Sequence, residues 1–117
     1  GDSITEGWAT NAVWQKHYAP LSAANLGIGG DTTQNVLWRI ANGEIDGLAP
    51  KAVALMIGTN NFGLHGDKPD DVVRGIAAVV AALRKKLPGA KMSASASTSP
   101  GCVRTSGVTC AFSSISL

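Results

Sequence analysis

Apolar residues recur in this chain with two different spacings, and the change between them marks out its elements. Val72, Ile76, Val79, Val80, Leu83 and Leu87 fall three or four positions apart, the spacing of one buried stripe on an α-helix. Pro69-Asp70-Asp71 supplies the start of that helix and Pro88-Gly89 the stop. Upstream, Ala52-Val53-Ala54-Leu55-Met56-Ile57 is an unbroken apolar run closed by Gly58. Continuous rather than alternating hydrophobicity predicts a strand buried on both faces, as in a parallel sheet. Ala23–Ile28 is a shorter strand candidate ending in Gly29-Gly30. Asp31-Thr32-Thr33-Gln34 then forms a capping signal for a helix carrying Val36, Leu37 and Ile40, which Asn42-Gly43 ends. A further helix is expected from Thr10 to Tyr18, stopping before Pro20. The order loop, helix, strand, helix, strand, helix predicts an α/β fold with parallel strands.

In such folds ligands sit beyond the carboxyl ends of the strands. Three segments occupy those places: Gly1–Gly7, Gly27–Thr32 and Gly58–Gly63. Each is Gly-rich and polar and stands immediately before a helix. Parallel strands would bring all three to one edge of the sheet. Several familiar motifs are excluded. Gly27-Ile28-Gly29-Gly30 lacks the last glycine of a dinucleotide fingerprint, because Thr32 stands there. No phosphate-cradling G-x-x-x-x-G-K-[ST] and no nucleophile-elbow G-x-S-x-G occurs.

Composition narrows the function classes. Ten Lys+Arg against eight Asp+Glu leave a net charge of +2, with no basic stripe for nucleic acid or a charged membrane surface. Arg84-Lys85-Lys86 closes the long helix, where cations suit the helix dipole. No run approaches the roughly 20 apolar residues of a membrane span. No signal peptide opens the chain, which leaves the compartment undecided between cytoplasm and an exported form processed upstream. The acids all lie at or before Asp71, whereas Ser93–Leu117 holds eight Ser, three Thr, both cysteines and no Asp, Glu or His. Cys102 and Cys110 match no usual zinc or redox spacing, and no cofactor or metal site is expected. Composition therefore divides the chain into an informative part, residues 1–92, and a Ser-rich tail, residues 93–117, expected to be disordered.

Taken together the three loops carry more than each does singly. Gly1-Asp2-Ser3-Ile4-Thr5-Glu6-Gly7-Trp8, Gly27-Ile28-Gly29-Gly30-Asp31-Thr32-Thr33 and Gly58-Thr59-Asn60-Asn61 stand in the order and spacing of the SGNH (GDSL-type) serine hydrolases. Within that family the chain most resembles bacterial relatives of the platelet-activating-factor acetylhydrolase catalytic subunits, through Asn25–Thr33, Val36–Arg39 and Asn42–Glu44. The resemblance runs from Gly1 to about Met92. It implies a flavodoxin-like three-layer α/β/α fold with a parallel sheet, here incomplete at both ends, and a serine esterase acting on small acyl esters such as acetyl esters of lipids or carbohydrates. It also implies Ser3 as nucleophile, with the backbone N–H groups of Ser3 and Gly30 and the side-chain amide of Asn60 as oxyanion donors. A homodimer is compatible with it.

The chemistry makes those roles sensible. A helix start offers free N–H groups and a dipole that favours developing negative charge at Ser3. Ester attack creates an oxyanion that needs preorganised donors, and losing one typically costs roughly 10²–10³ in turnover. Asp2 and Asp31 beside these loops read as helix caps or loop hydrogen-bonding groups. Trp8, Trp14 and Trp38 read as packing residues, with lining of an acyl pocket as the alternative.

The base is the point of departure. In the resembling family it is the His of a late Asp-x-x-His, with the Asp as orienting acid, and neither follows Met92 here. His17 falls in the first helix. His65, in the loop Phe62–Asp67, is the one substitute near the site mouth, with Asp67 to orient it, but it does not match the family position. The switch to Ser93-Ala94-Ser95-Ala96-Ser97 after Met92 is expected of a chain truncated or frameshifted there. Three readings follow: an SGNH-type esterase, an inactive or feeble fragment that keeps the nucleophile and oxyanion donors, and a binding or assembly module built on the same loops.

Overall fold

The computed structural model describes residues 1–96 and 115–116. Helices α1 (Ser3–Trp8) and α2 (Ala12–His17) and a 3₁₀ turn at Ala19–Leu21 come first, then α3 (Thr33–Ala41). Strand β1 (Ala52–Ile57), the short α4 (Thr59–Gly63), the long α5 (Pro69–Lys86), β2 (Lys91–Ala96) and the two-residue β3 (Ile115–Ser116) complete the order. β1 and β2 are parallel, in register from Ala52 opposite Lys91 to Ile57 opposite Ala96, and β3 pairs antiparallel with β2. β1, α5 and β2 thus form a β–α–β unit, the hallmark of an α/β fold.

Local chemistry accounts for the helix limits. Thr32 caps α3 in a reciprocal capping box: its Oγ1 accepts from the Asn35 N–H at 3.5 Å, and the Asn35 Oδ1 accepts from the Thr32 N–H at 3.0 Å. Asn42 ends that helix and Gly43 follows at φ +94°. α5 begins on Pro69, with Asp70 and Asp71 in its first turn and Arg84, Lys85 and Lys86 in its last, each charge complementing the helix dipole.

The core lies between the helices and one face of the sheet. Leu55 and Ile57 of β1 meet Val36 and Ile40 of α3, Val79 and Leu83 of α5, and Ile45, Leu87 and Ala94. α3 and α5 pack closely because Gly75 has no side chain: a Cβ there would lie 2.4 Å from Thr33 Oγ1. The expected burial of β1 on both faces is not what the fold provides. Val53, Leu55 and Ile57 point into the core, whereas Ala52 and Ala54 are exposed and Met56 is half-buried. α3 and α5 contribute the buried partners of one face only, and alanine, small and apolar, conceals the alternation in the sequence.

Two further expectations change. Ala23–Ile28 is not a strand: among the described residues a single backbone hydrogen bond, Ile28 N–H to the Gly1 carbonyl at 3.0 Å, ties it to the N-terminal segment. One bond does not make a ladder. The Asn25 side chain holds this segment instead, donating from Nδ2 to the Thr5 carbonyl at 2.6 Å and accepting the Gly27 N–H at 2.9 Å. In addition, β2 takes in Ser93–Ala96, residues that composition assigns to the tail, and buries Ala94 in the core. Backbone pairing to β1 holds this weakly hydrophobic segment in the sheet. Ile115–Ser116, also in the expected tail, pair with β2; the expected disorder of residues 97–114 and 117, and both cysteines, fall outside the described residues.

Candidate active site

The three loops of the sequence converge. Gly27 packs against the backbone of α1 so closely that a Cβ would sit 2.3 Å from the Glu6 nitrogen. A Cβ at Gly1 would lie 3.0 Å from the carbonyl oxygen of Met56, near the end of β1. The second loop meets the third through side-chain amides. Asn60 donates from Nδ2 to the Asp31 carbonyl at 2.9 Å. Asn61, only 1% exposed, accepts the Thr33 N–H at 3.0 Å and donates to Gln34 Oε1 at 2.9 Å and Asp67 Oδ2 at 2.8 Å. The expected meeting of the loops at one edge is therefore present in atomic contacts.

Ser3 opens α1 and is exposed. Asp2, fully buried, is its N-cap: Oδ1 accepts the Ile4 N–H at 3.0 Å, and the Asp2 carbonyl accepts the Glu6 N–H at 2.9 Å. Asp2 thus has the capping role read from the sequence. As the first residue of the helix, Ser3 keeps a backbone N–H with no intrahelical partner. Gly29 borders it, since a Cβ on Gly29 would lie 3.9 Å from the Ser3 Cβ. Gly30 follows at φ +82°, a left-handed conformation that glycine adopts without steric cost. An amide nitrogen carries two hydrogens, so the bond from Asn60 to Asp31 leaves one N–H uncommitted.

A partly buried ion network lies behind this edge. Arg39 of α3 pairs through Nη2 with the Asp31 carboxylate, and its Nε stands 2.8 Å from Glu44 Oε1. The Asp31 hydrogen bond raises the Arg39 pKa above the ordinary guanidinium value, with partial burial acting against it and Glu44 adding to it. The Nε–H points off the line to Glu44, so that contact is an ion pair by proximity. Three buried side-chain polar atoms have no hydrogen-bond partner among the described residues: Asp2 Oδ2, Arg39 Nε and Thr59 Oγ1. All three belong to the loops and the network just described. Unsatisfied polarity is costly in a fold, and here it is concentrated at one place.

The remaining candidates stand apart. His65 is exposed and lines a shallow depression of about 320 Å³ with Thr32, Gln34, Asn35 and Asp67. Asp67 spends Oδ2 on Asn61. A neighbouring depression of about 380 Å³ is lined by Asp31, Gln34, Asn35, Trp38 and Arg39. Ser3 lines neither. His17 is exposed in the last turn of α2. Trp14 stacks on Tyr18 with centroids 5.3 Å apart, and Trp8 meets the same ring edge-on at 6.1 Å. Among the described residues no group of three His, Cys, Asp or Glu could hold a metal ion, and no helix is long and apolar enough to cross a membrane.

Asn25, Arg39, Glu44 and Asn61 carry no role that the sequence pattern marks. Asn25 and Asn61 reach Thr5 and Thr33, at least 20 positions away, whereas Arg39 meets Asp31 across one helix and Glu44 just beyond its end.

Comparison with known proteins gives a consistent picture. The family model for the GDSL-like lipase/acylhydrolase family matches residues 1–112. Over 92 residues the chain is 40% identical to the platelet-activating factor acetylhydrolase IB subunit alpha2 of Rattus norvegicus and of Homo sapiens, covering 79% of this chain and 39% of each relative. It is 41% identical over 92 residues to the alpha1 subunit of Bos taurus, covering 79% of this chain and 38% of that relative. The chain therefore spans about two fifths of the length of the curated relatives it matches.

Proposed function

Because this chain belongs to the GDSL-like lipase/acylhydrolase family, we propose that it carries the nucleophile and oxyanion-binding half of a serine ester hydrolase site. The observation that supports this most is the convergence of Ser3, at the exposed start of α1, with the Gly30 and Asn60 loops. In this reading Ser3 Oγ attacks the ester carbonyl carbon and gives its proton to a base. The carbonyl oxygen takes up negative charge and is met by the Ser3 and Gly30 N–H groups and the second N–H of Asn60. Collapse expels the alcohol, and water then releases the acid and restores Ser3.

The relatives named acetylhydrolases make small acyl esters, acetyl esters above all, the substrate class to test. The 117 residues contain no Asp-x-x-His, so they offer no residue at the family position to accept the Ser3 proton. Little turnover is therefore expected of this chain, while Ser3 keeps residual nucleophilicity. A fluorophosphonate probe followed by intact mass and peptide mapping tests the first point: one adduct on Ser3, absent in Ser3→Ala, is expected. Labelling only at other serines, or none, would overturn the assignment. Hydrolysis of p-nitrophenyl acetate tests the second. Brisk turnover that Ser3→Ala abolishes would show that a base is present after all.

A further inference from the structure

We propose that Arg39 is a positioning residue for the Asn60 oxyanion donor, acting through Asp31. The inference rests on the reading of Asn60 as a donor and adds the group that holds it in place. Asp31 is engaged at both ends. Its carboxylate is paired with Arg39, and its main-chain carbonyl accepts the Asn60 Nδ2–H at 2.9 Å. The Gly30 N–H lies one peptide further back, in the Gly29–Gly30 unit, so the donor reached through Asp31 is Asn60. Arg39 is anchored in turn, on the last part of α3, with Glu44 beside Nε and the Glu44 N–H bonded to the Arg39 carbonyl at 3.1 Å.

The surroundings give this chain of contacts its force. The side chains of Arg39 and Asp31 are 14% and 7% exposed, so their attraction is little screened by water. A guanidinium is planar and presents its donors in a rigid fork, which sets direction as well as distance. Holding one N–H of the Asn60 amide fixes the plane of that amide, and with it the direction of the other N–H. An oxyanion donor is useful only when aimed before the charge develops. One of the three donors, Asn60, thus depends on an ion pair that touches no substrate.

The test compares the wild-type chain with Arg39→Gln, Arg39→Lys and Glu44→Gln by two readouts on the same samples. The ¹H–¹⁵N correlation spectrum reports the Asn60 side-chain amide, assigned by its loss in Asn60→Ala. The rate of fluorophosphonate labelling reports Ser3: the Ser3 Oγ–P bond forms, fluoride leaves, and the serine proton passes to water. In Arg39→Gln the Asn60 amide signals should move and exchange faster with solvent. Labelling should slow roughly 10–100-fold, less than the roughly 10²–10³-fold cost of deleting a donor, because the donor remains but is misdirected. Arg39→Lys keeps the charge without the fork and should restore part of both. Glu44→Gln should shift both in the same direction by less, and it decides the matter should Arg39→Gln fail to fold.

Unchanged Asn60 signals in a folded Arg39→Gln, or slowed labelling without any change at Asn60, would overturn the proposal. If Asn60 responds but wild-type Ser3 is never labelled, Arg39 is confirmed as the group that positions Asn60, and the hydrolase reading of Ser3 is what fails.

Discussion

The two ends of the described chain are held by different physics. Between Val36 and Ala94 the structure is a β–α–β unit closed by helix α3, and its side chains meet in one apolar cluster. Between Gly1 and Ile28, Ile4, Trp8, Val13, Tyr18, Leu21, Leu26 and Ile28 are all exposed, and hydrogen bonds do the holding: the Asp2 cap, the Asn25 clasp and the Ile28–Gly1 contact. Ser3 lies in the second region, which meets the first where Gly1 packs against the Met56 carbonyl, and the chain just beyond Ile28 is held by Asn60 and Asn61 through Asp31 and Thr33. Non-directional burial stabilises, but it aims nothing; hydrogen bonds contribute little net energy each, yet they fix angles. A site that must point donors at one atom is built from the second kind of contact and set against the first.

That contrast can be broken experimentally, beginning where the effect is largest. Ile57→Ala removes a side chain that is 0% exposed at the centre of the cluster. It should cost about 2–5 kcal/mol, read from urea unfolding, since lost transfer and a residual cavity add. Gly75→Ala pushes a Cβ to 2.4 Å from Thr33 Oγ1 at the contact of α3 and α5, and about 1–3 kcal/mol is expected from the forced separation. Asn61→Ala leaves the Thr33 N–H and the Asp67 carboxylate without their amide partner. Roughly 1–3 kcal/mol is expected, with hydrogen exchange at Thr33 accelerated. At the small end, Leu21→Ser alters an apolar side chain that is 75% exposed. A change within about 0.5 kcal/mol is expected, and a larger loss would show that the N-terminal region depends on burial after all.

Helices α2, α3 and α5 were legible because their signals are local, whereas the short α1 and α4 form within segments that read as loops. The three-and-four spacing of α5, its Pro69 start, the capping signal of α3 and the Asn42-Gly43 stop all lie within a turn or two of the backbone they govern. The strands were less so. Ala23–Ile28 has the composition of a strand, but a strand exists only with a partner, and Ile28 alone reaches Gly1. Lys91–Ala96 has a poorer composition, yet Lys51 and the length of β1 lie alongside to accept it. Pairing decided both cases against the local reading.

For the candidate site the division is similar. The residue types that the proposed chemistry calls for, a serine at a helix start, a glycine where backbone must come close and an uncharged amide, were visible as Ser3, Gly30 and Asn60 in three spaced blocks. So was the lack of Asp-x-x-His, which depends on identity alone. What sequence by itself determined here is therefore the inventory: where the longer helices α3 and α5 form, which polar and reactive side chains exist and to which family they belong. Only the tertiary structure decided which groups meet. The partly buried contact of Asp31 with Arg39, the grip of Asp31 on Asn60 and the bonds of Asn61 to Thr33, Gln34 and Asp67 join residues up to 29 positions apart. Contacts of that span are set by how the helices pack on β1, because the closeness of two distant groups is a property of the whole chain's path rather than of either neighbourhood.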